Sequence, residues 1–201
     1  MEELLSTRRR VLQLLAATMA GSAVAPVAGW AAPAPLPPGP KPVFIAPGAG
    51  RKGHISVNEV VFKLSKDQTS GNLGSAETTL LPGYMGAPPH RHQHFDEVCR
   101  VLEGTLSILV GEEVYTVPAG GWHLRPRGIV HSFWNSGPVP VKFIELYLPG
   151  GHEAYMQELT TLFENGRTPQ PSELDAVARK YDIEFFWDQL PPLLQKYQVR
   201  L

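Results

Sequence analysis

The sequence predicts an all-β sandwich or barrel followed by a helical C-terminal extension. Two patterns predict it. From about Ile55 to Leu148 the chain reads as short β-branched or aromatic runs separated by Gly- and Pro-containing turns, the spacing of an all-β sandwich or barrel. Past Pro149-Gly150-Gly151 the apolar period changes from two to about 3.6, which marks helices.

The predicted strands are Ser56–Leu64, Ser75–Leu81, Glu97–Leu102, Thr105–Val110, Glu113–Val117, Trp122–Leu124, Ile129–Trp134 and Val139–Leu148. Turns separate them at Ser70-Gly71-Asn72, Pro82-Gly83, Gly104, Gly111-Glu112, Gly120-Gly121 and Ser136-Gly137-Pro138, residues that supply left-handed or pre-bent backbone. In the extension, Tyr155, Met156, Leu159, Leu162 and Phe163 form one apolar helix face that stops at Asn165-Gly166. A second helix starts at Ser172 with Asp175 in a capping-box arrangement and buries Leu174, Val177, Ala178 and Tyr181.

The chain has 201 residues, 43% hydrophobic and 18% charged, with a net charge of -1. That is enough apolar material for one core and no electrostatic footprint for nucleic acid. Cys99 is the single cysteine, which excludes an internal disulfide and any paired-cysteine motif.

The N-terminus reads as an export signal. A basic cluster precedes an Ala-rich apolar run from Val11 to about Ala28 that contains Gln13 and Thr18, too weakly hydrophobic for a stable membrane anchor. Thr7-Arg8-Arg9-Arg10-Val11-Leu12-Gln13 resembles the twin-arginine export motif, which implies an exported, periplasmic or extracellular protein. Cleavage after Ala31 would leave a mature charge of -2. The expected organisation is a signal over 1–31, a Pro-rich tether over 32–53, the β domain over 54–150 and the helical extension over 151–201.

The chemistry concentrates in two stretches. "HRHQHFDE", His90 to Glu97, holds three histidines and a glutamate, open to reading as a metal site, a solvated polar loop or a catalytic histidine pair. His90 and His92 are two apart, so on extended chain both face one way. After a bend Glu97 returns to that face, and "GGWHLRPRGIVHSFWN", Gly120 to Asn135, can bring His131 on a neighbouring strand. Three imidazoles and a carboxylate suit one divalent transition ion such as Fe, Mn, Ni, Zn or Cu, with positions left for a small-molecule ligand.

The two spacings together resemble the paired motifs of the cupin superfamily. The first gives His90, His92, Glu97 and Gly104, with Tyr84 where the motif usually opens with Gly; the second gives Gly120, Pro126, Gly128, His131 and Asn135. The resemblance implies a double-stranded antiparallel β-barrel, the jelly roll, with metal ligands His90, His92, Glu97 and His131. Parity from Glu97 puts Cys99 and Val101 in the lumen, with Phe133 inside and Trp134 and Arg100 outside. His94 is expected at the rim or behind the ligands, and His54, His123 and His152 have no spacing partner. Glu145 shares a face with Val141, Phe143 and Tyr147; His123 and Arg125, if inward, would favour a carboxylate or enolate ligand.

"ARKYDIEFFW", Ala178 to Trp187, looks like the tail of bacterial quercetin-dioxygenase-like cupins, with Asp182 where Gly is expected. This implies a metal-dependent oxygenase acting on a small aromatic or enolic compound, with Glu97 as a possible general base. A non-catalytic metal- or small-ligand-binding cupin and a metal-dependent isomerase or decarboxylase are the alternatives. A homodimer is expected from the strand Val57–Leu64 and the apolar face Tyr155–Phe163.

Overall fold

The computed structural model describes residues 39–201. The export signal expected over 1–31 and the start of the tether lie outside the described residues. Among the described residues, eleven strands form two antiparallel sheets. The first runs β1 (Arg51–Ile55), β2 (Asn58–Leu64), β3 (Gly74–Leu80), β10 (Val141–Leu148), β5 (Asp96–Glu103), β8 (Trp122–Arg125). The second runs β11 (Ile183–Phe185), β4 (Tyr84–His92), β9 (His131–Asn135), β6 (Thr105–Val110), β7 (Glu113–Pro118). Their inner faces share one core: Leu80, Cys99, Val101, Val141 and Phe143 from the first meet Leu106, Ile108, Val117 and Phe133 from the second. That arrangement is compatible with a jelly-roll sandwich.

Alternation carries most of this. Along β10, Val141, Phe143, Glu145 and Tyr147 are buried, whereas the residues between them are partly exposed, as period two requires. Two strands escape that logic. β4 reads "YMGAPPHRH", and its prolines cannot donate to a ladder; its register against β9 shifts on both sides of Ala87 before His90 meets His131. β11 has only three residues and lies inside the extension.

Three α-helices, where two were expected, follow the sheets: α1 (His152–Leu162), α2 (Pro171–Ala178) and α3 (Leu190–Tyr197). The capping residues of α2 differ from the Ser172 start. Pro171 occupies its first turn, and the backbone N–H of Gln170 donates to Glu173 at 2.8 Å. In α3 the prolines stand in the first turn, where their missing N–H costs nothing. Trp134 does face away from the core, but Leu190, Leu194, Tyr197 and Val199 of the C-terminal segment cover it completely.

The apolar surfaces expected at a subunit contact are covered within the chain. Val60 and Phe62 of β2 pack with Ala76 and Tyr147, and Tyr155 and Leu159 of α1 pack with Leu174, Val177 and Ile183.

Candidate metal centre

His90 and His92 lie on β4, Glu97 on β5 and His131 on β9. The β4–β9 register sets His90 opposite His131, and their rings are 4.4 Å apart. One ligand atom from each of the four residues falls within 4.8 Å of all the others, and all four side chains are buried. His92 Nε2 is 3.8 Å from Glu97 Oε1, and His131 Nε2 is 3.5 Å from Glu97 Oε2.

Backbone carbonyls fix two tautomers. His90 Nδ1 donates to Pro88 O at 2.9 Å and His131 Nδ1 to Ile129 O at 3.0 Å, which leaves each Nε2 as a lone pair. His92 is oriented instead by stacking on Phe95, with centroids 3.7 Å apart. His131 Nε2 and both nitrogens of His92 are buried without a hydrogen-bond partner, and Glu97 Oε2 has none beyond its ion pair with Arg125. Orphaned lone pairs in a dry site are costly, and a divalent ion would satisfy this donor set. Burial holds the His90 imidazole well below the ordinary histidine range, with the neighbouring His131 adding to it, and burial also lowers His92. Both are therefore neutral, as ligands must be.

Behind the ligands, Arg125 on β8 is completely buried and opposite Glu97 in the β5–β8 ladder. Its Nη1 stands 2.9 Å from Glu97 Oε2 and its Nη2 2.8 Å from Glu145 Oε1. The two carboxyls respond oppositely. Burial pushes Glu97 up, but Arg125 overrides it and holds the group well below the usual carboxylate range. For Glu145, burial wins over Arg125 and the group is raised. Arg125 does face inward, the case in which it would favour a carboxylate or enolate ligand, but Glu97 and Glu145 already lie against its Nη1 and Nη2.

The centre opens into a cavity of about 180 Å3, smaller than sites for drug-sized ligands. His90, Glu97, Glu145 and His152 form its polar end, and Phe133, Tyr155, Met156, Leu159, Phe163 and Phe185 are among its apolar walls. Gly86 also lines it: a Cβ there would meet the Phe133 ring at 1.9 Å, so only glycine lets strand and ring approach this closely. Of the three pocket residues read from parity, Phe133 lines the cavity. Cys99 and Val101 do not; they are fully buried in the inter-sheet core, where Leu80, Leu106 and Phe143 fill the space beside them. The Cys99 thiol is pushed up by burial.

His94 lies at the rim, its side chain 81% exposed, with Nδ1 2.8 Å from Asp182 Oδ2. His123 is half-buried beside Tyr115. His152, which no spacing singled out, is buried in the cavity wall, and burial pulls its imidazole down to about 3. Asp182 adopts φ 62°, ψ 34°, the left-handed region where a glycine was expected and which aspartate tolerates. Its carboxylate accepts from the backbone N–H groups of Gln93 and His94, both at 2.8 Å.

Residues 76–147 match the family model of the cupin domain. The chain is 32% identical over 106 residues to germin-like protein 5-1 of Oryza sativa subsp. japonica, covering 49% of this chain and 47% of that protein. It is 30% identical over 95 residues to mannose-1-phosphate guanylyltransferase of Salmonella muenchen, covering 47% of this chain and 20% of that one. The chain thus spans less than half the length of either curated relative. Among solved structures, KdgF from Halomonas sp. aligns with a TM-score of 0.50 at 16% identity, over 57% of this chain and 99% of that one, a likeness of fold alone.

Proposed function

Because residues 76–147 match the family model of the cupin domain, we propose that this protein is an exported metal-dependent cupin, and that it acts as an oxygenase on a small aromatic or enolic compound. The observation that carries the substrate class is the cavity. Of the four buried candidate metal ligands, His90 and Glu97 line an apolar chamber, and among the described residues no Lys or Arg lines its wall. A sugar phosphate or a small dicarboxylate would leave water there with no side-chain cation beyond the proposed ion to meet its remaining charge. A flat neutral molecule fits between aromatic walls and presents one acidic hydroxyl to the polar end.

His90, His92, Glu97 and His131 would hold the ion, which supplies Lewis-acid and redox chemistry when bound. The chain's own residues do the rest. Phe133, Tyr155 and Phe185 flank the compound and exclude water, and Gly86 lets the Phe133 ring lie against its strand. Arg125 holds Oε2 of Glu97, which favours this carboxylate as a fixed anionic ligand over a base that leaves the metal.

The test is metal analysis of the purified protein, followed by anaerobic addition of phenols, flavonols, diketones and small acids. An oxygenase shows a spectral shift with an enolic or phenolic compound and then consumes dioxygen in step with its loss. Full metal occupancy with no shift and no oxygen uptake across the panel would leave the binding-protein reading in its place.

A homodimer is part of the proposal, through a different surface from the expected one. On the outer face of the first sheet, Leu146, Val98 and Leu124 are directly cross-strand neighbours, and Ile144, Arg100 and Trp122 form the next row. Trp122 is 60% and Leu124 53% exposed, and β8 is the sheet's edge. Such an apolar face is what a partner covers.

A further inference from the structure

His152 opens α1, outside residues 76–147, and is 7% exposed. Its Nε2 stands 3.4 Å from Glu97 Oε1, the oxygen that also faces His92, whereas Oε2 is held by Arg125. Its ring is packed by Phe95, Tyr147 and Tyr155, at centroid distances of 4.9, 4.6 and 5.2 Å, and its Nδ1 has no partner. The next residue, Glu153, pins the start of the helix by accepting from the backbone N–H groups of Lys66 and Gly151, both at 2.7 Å. Neither the ring nor the turn that carries it is free to swing away.

An ionised carboxylate only accepts hydrogen bonds, and a neutral imidazole carries one N–H. We infer that His152 is a positioning residue: from the C-terminal extension it holds Oε1 of Glu97 while Arg125 holds Oε2, so the carboxylate's orientation toward the three histidines is set from both sides. This rests on the metal-binding reading above. It also makes the extension part of the metal centre, because groups that orient a ligand typically change metal affinity about 10- to 100-fold when removed.

The experiment titrates the full chain with Co(II), reading affinity and the visible ligand-field spectrum for the parent, His152→Ala, His152→Gln and His90→Ala, with cooperative thermal unfolding as the check on folding. His152→Ala should keep the parent's stoichiometry, bind about 10- to 100-fold more weakly and shift the spectrum. His152→Gln, which restores an N–H donor, should recover most of both, and His90→Ala should lose the ion. If the alanine variant fails to fold, His152→Phe fills the same aromatic space without a donor and carries the comparison. Parent-like affinity and spectrum in the donor-free variant would overturn the assignment. Loss of stoichiometry equal to that of His90→Ala would overturn it too, by making His152 a ligand. A folded parent that takes up no Co(II) defeats the metal-binding reading and this proposal with it, whereas a weakened His152 variant leaves that reading standing.

Discussion

Arg125 Nη1 lies 2.9 Å from Glu97 Oε2, so the one carboxylate of the four-residue cluster already has a cation on one of its oxygens. The same guanidinium reaches Glu145, and all three side chains are almost wholly buried. Removing the shared cation strands two carboxyls in the interior. Arg125→Met should therefore cost about 3–5 kcal/mol of stability in urea unfolding with chelator present. Adding Glu145→Gln should recover part of that loss. An Arg125→Met protein as stable as the parent would show that the guanidinium is not the counterion it looks to be.

The ligand set predicts a pattern. His90→Ala, His92→Ala, Glu97→Ala and His131→Ala should each lower bound metal sharply, while His94→Ala, whose ring is exposed and faces Asp182, should keep most of it. In thermal scans, metal at 100 times its Kd should stabilise the parent by about 2.7 kcal/mol and the His90→Ala protein hardly at all. Loss of metal from His94→Ala with retention in His90→Ala would contradict the arrangement.

Asp96 gives a pH dependence. Arg127 donates to it from Nε at 3.0 Å, from Nη2 at 2.7 Å and from its backbone at 2.9 Å, and these bonds hold the carboxyl down at about 2. A group whose folded pKa is depressed contributes stability that is present above its ordinary value near 3.8 and lost as pH falls toward 2. The stability gap between the parent and Asp96→Asn, read from urea midpoints, should be constant from pH 7 to 5 and close between pH 4 and about 2. The effect will be modest because the pair is solvent-exposed.

The outer-face dimer is tested by Trp122→Asp, which places a charge in the apolar rows beside Arg100. Sedimentation at micromolar concentration should show a dimeric parent and a monomeric variant with unchanged thermal stability. A monomeric parent would end the proposal.

Export by the twin-arginine route requires the adjacent arginines. Changing Arg8, Arg9 and Arg10 together to Lys should leave precursor in the cytoplasm, since Arg10 could otherwise form a shifted pair with Arg9. Fractionation that finds the triple variant outside the cytoplasm at the parental level would remove the assignment.

Much of the β domain was legible because burial on one face imposes a period of two. Thr105–Val110 is a strand at the expected bounds, and Cys99, Val101, Phe143 and Tyr147 are buried as parity requires. The approach of His90, His92, Glu97 and His131 was also readable, since spacing and one register suffice to bring them together. Parity failed to show which inward residues touch the cavity. Cys99 and Phe133 both face in, yet core side chains crowd only the first of them away from the chamber. Pro88 and Pro89 in β4, and Pro191 and Pro192 in α3, blur the period of either element, because they stand respectively in an irregular strand and in the first turn of a helix. His152 had no local signal at all. Its place beside Glu97 follows from how α1 docks, and docking is decided by side chains far apart in sequence.

Phe185 sits opposite His90 in the β11–β4 ladder and also in the cavity wall, while the neighbouring Phe186 N–H donates to Pro89 O at 2.9 Å. The segment that shapes the chamber is therefore stitched, residue against residue, to the strand that presents two of the candidate metal-ligating histidines. Grafting a foreign tail onto this scaffold to change which compound it accepts would disturb the ligand strand as well, unless the graft kept the Asp182–Phe186 stitch. A library built to retune selectivity should hold those five positions constant and vary the helix faces above them.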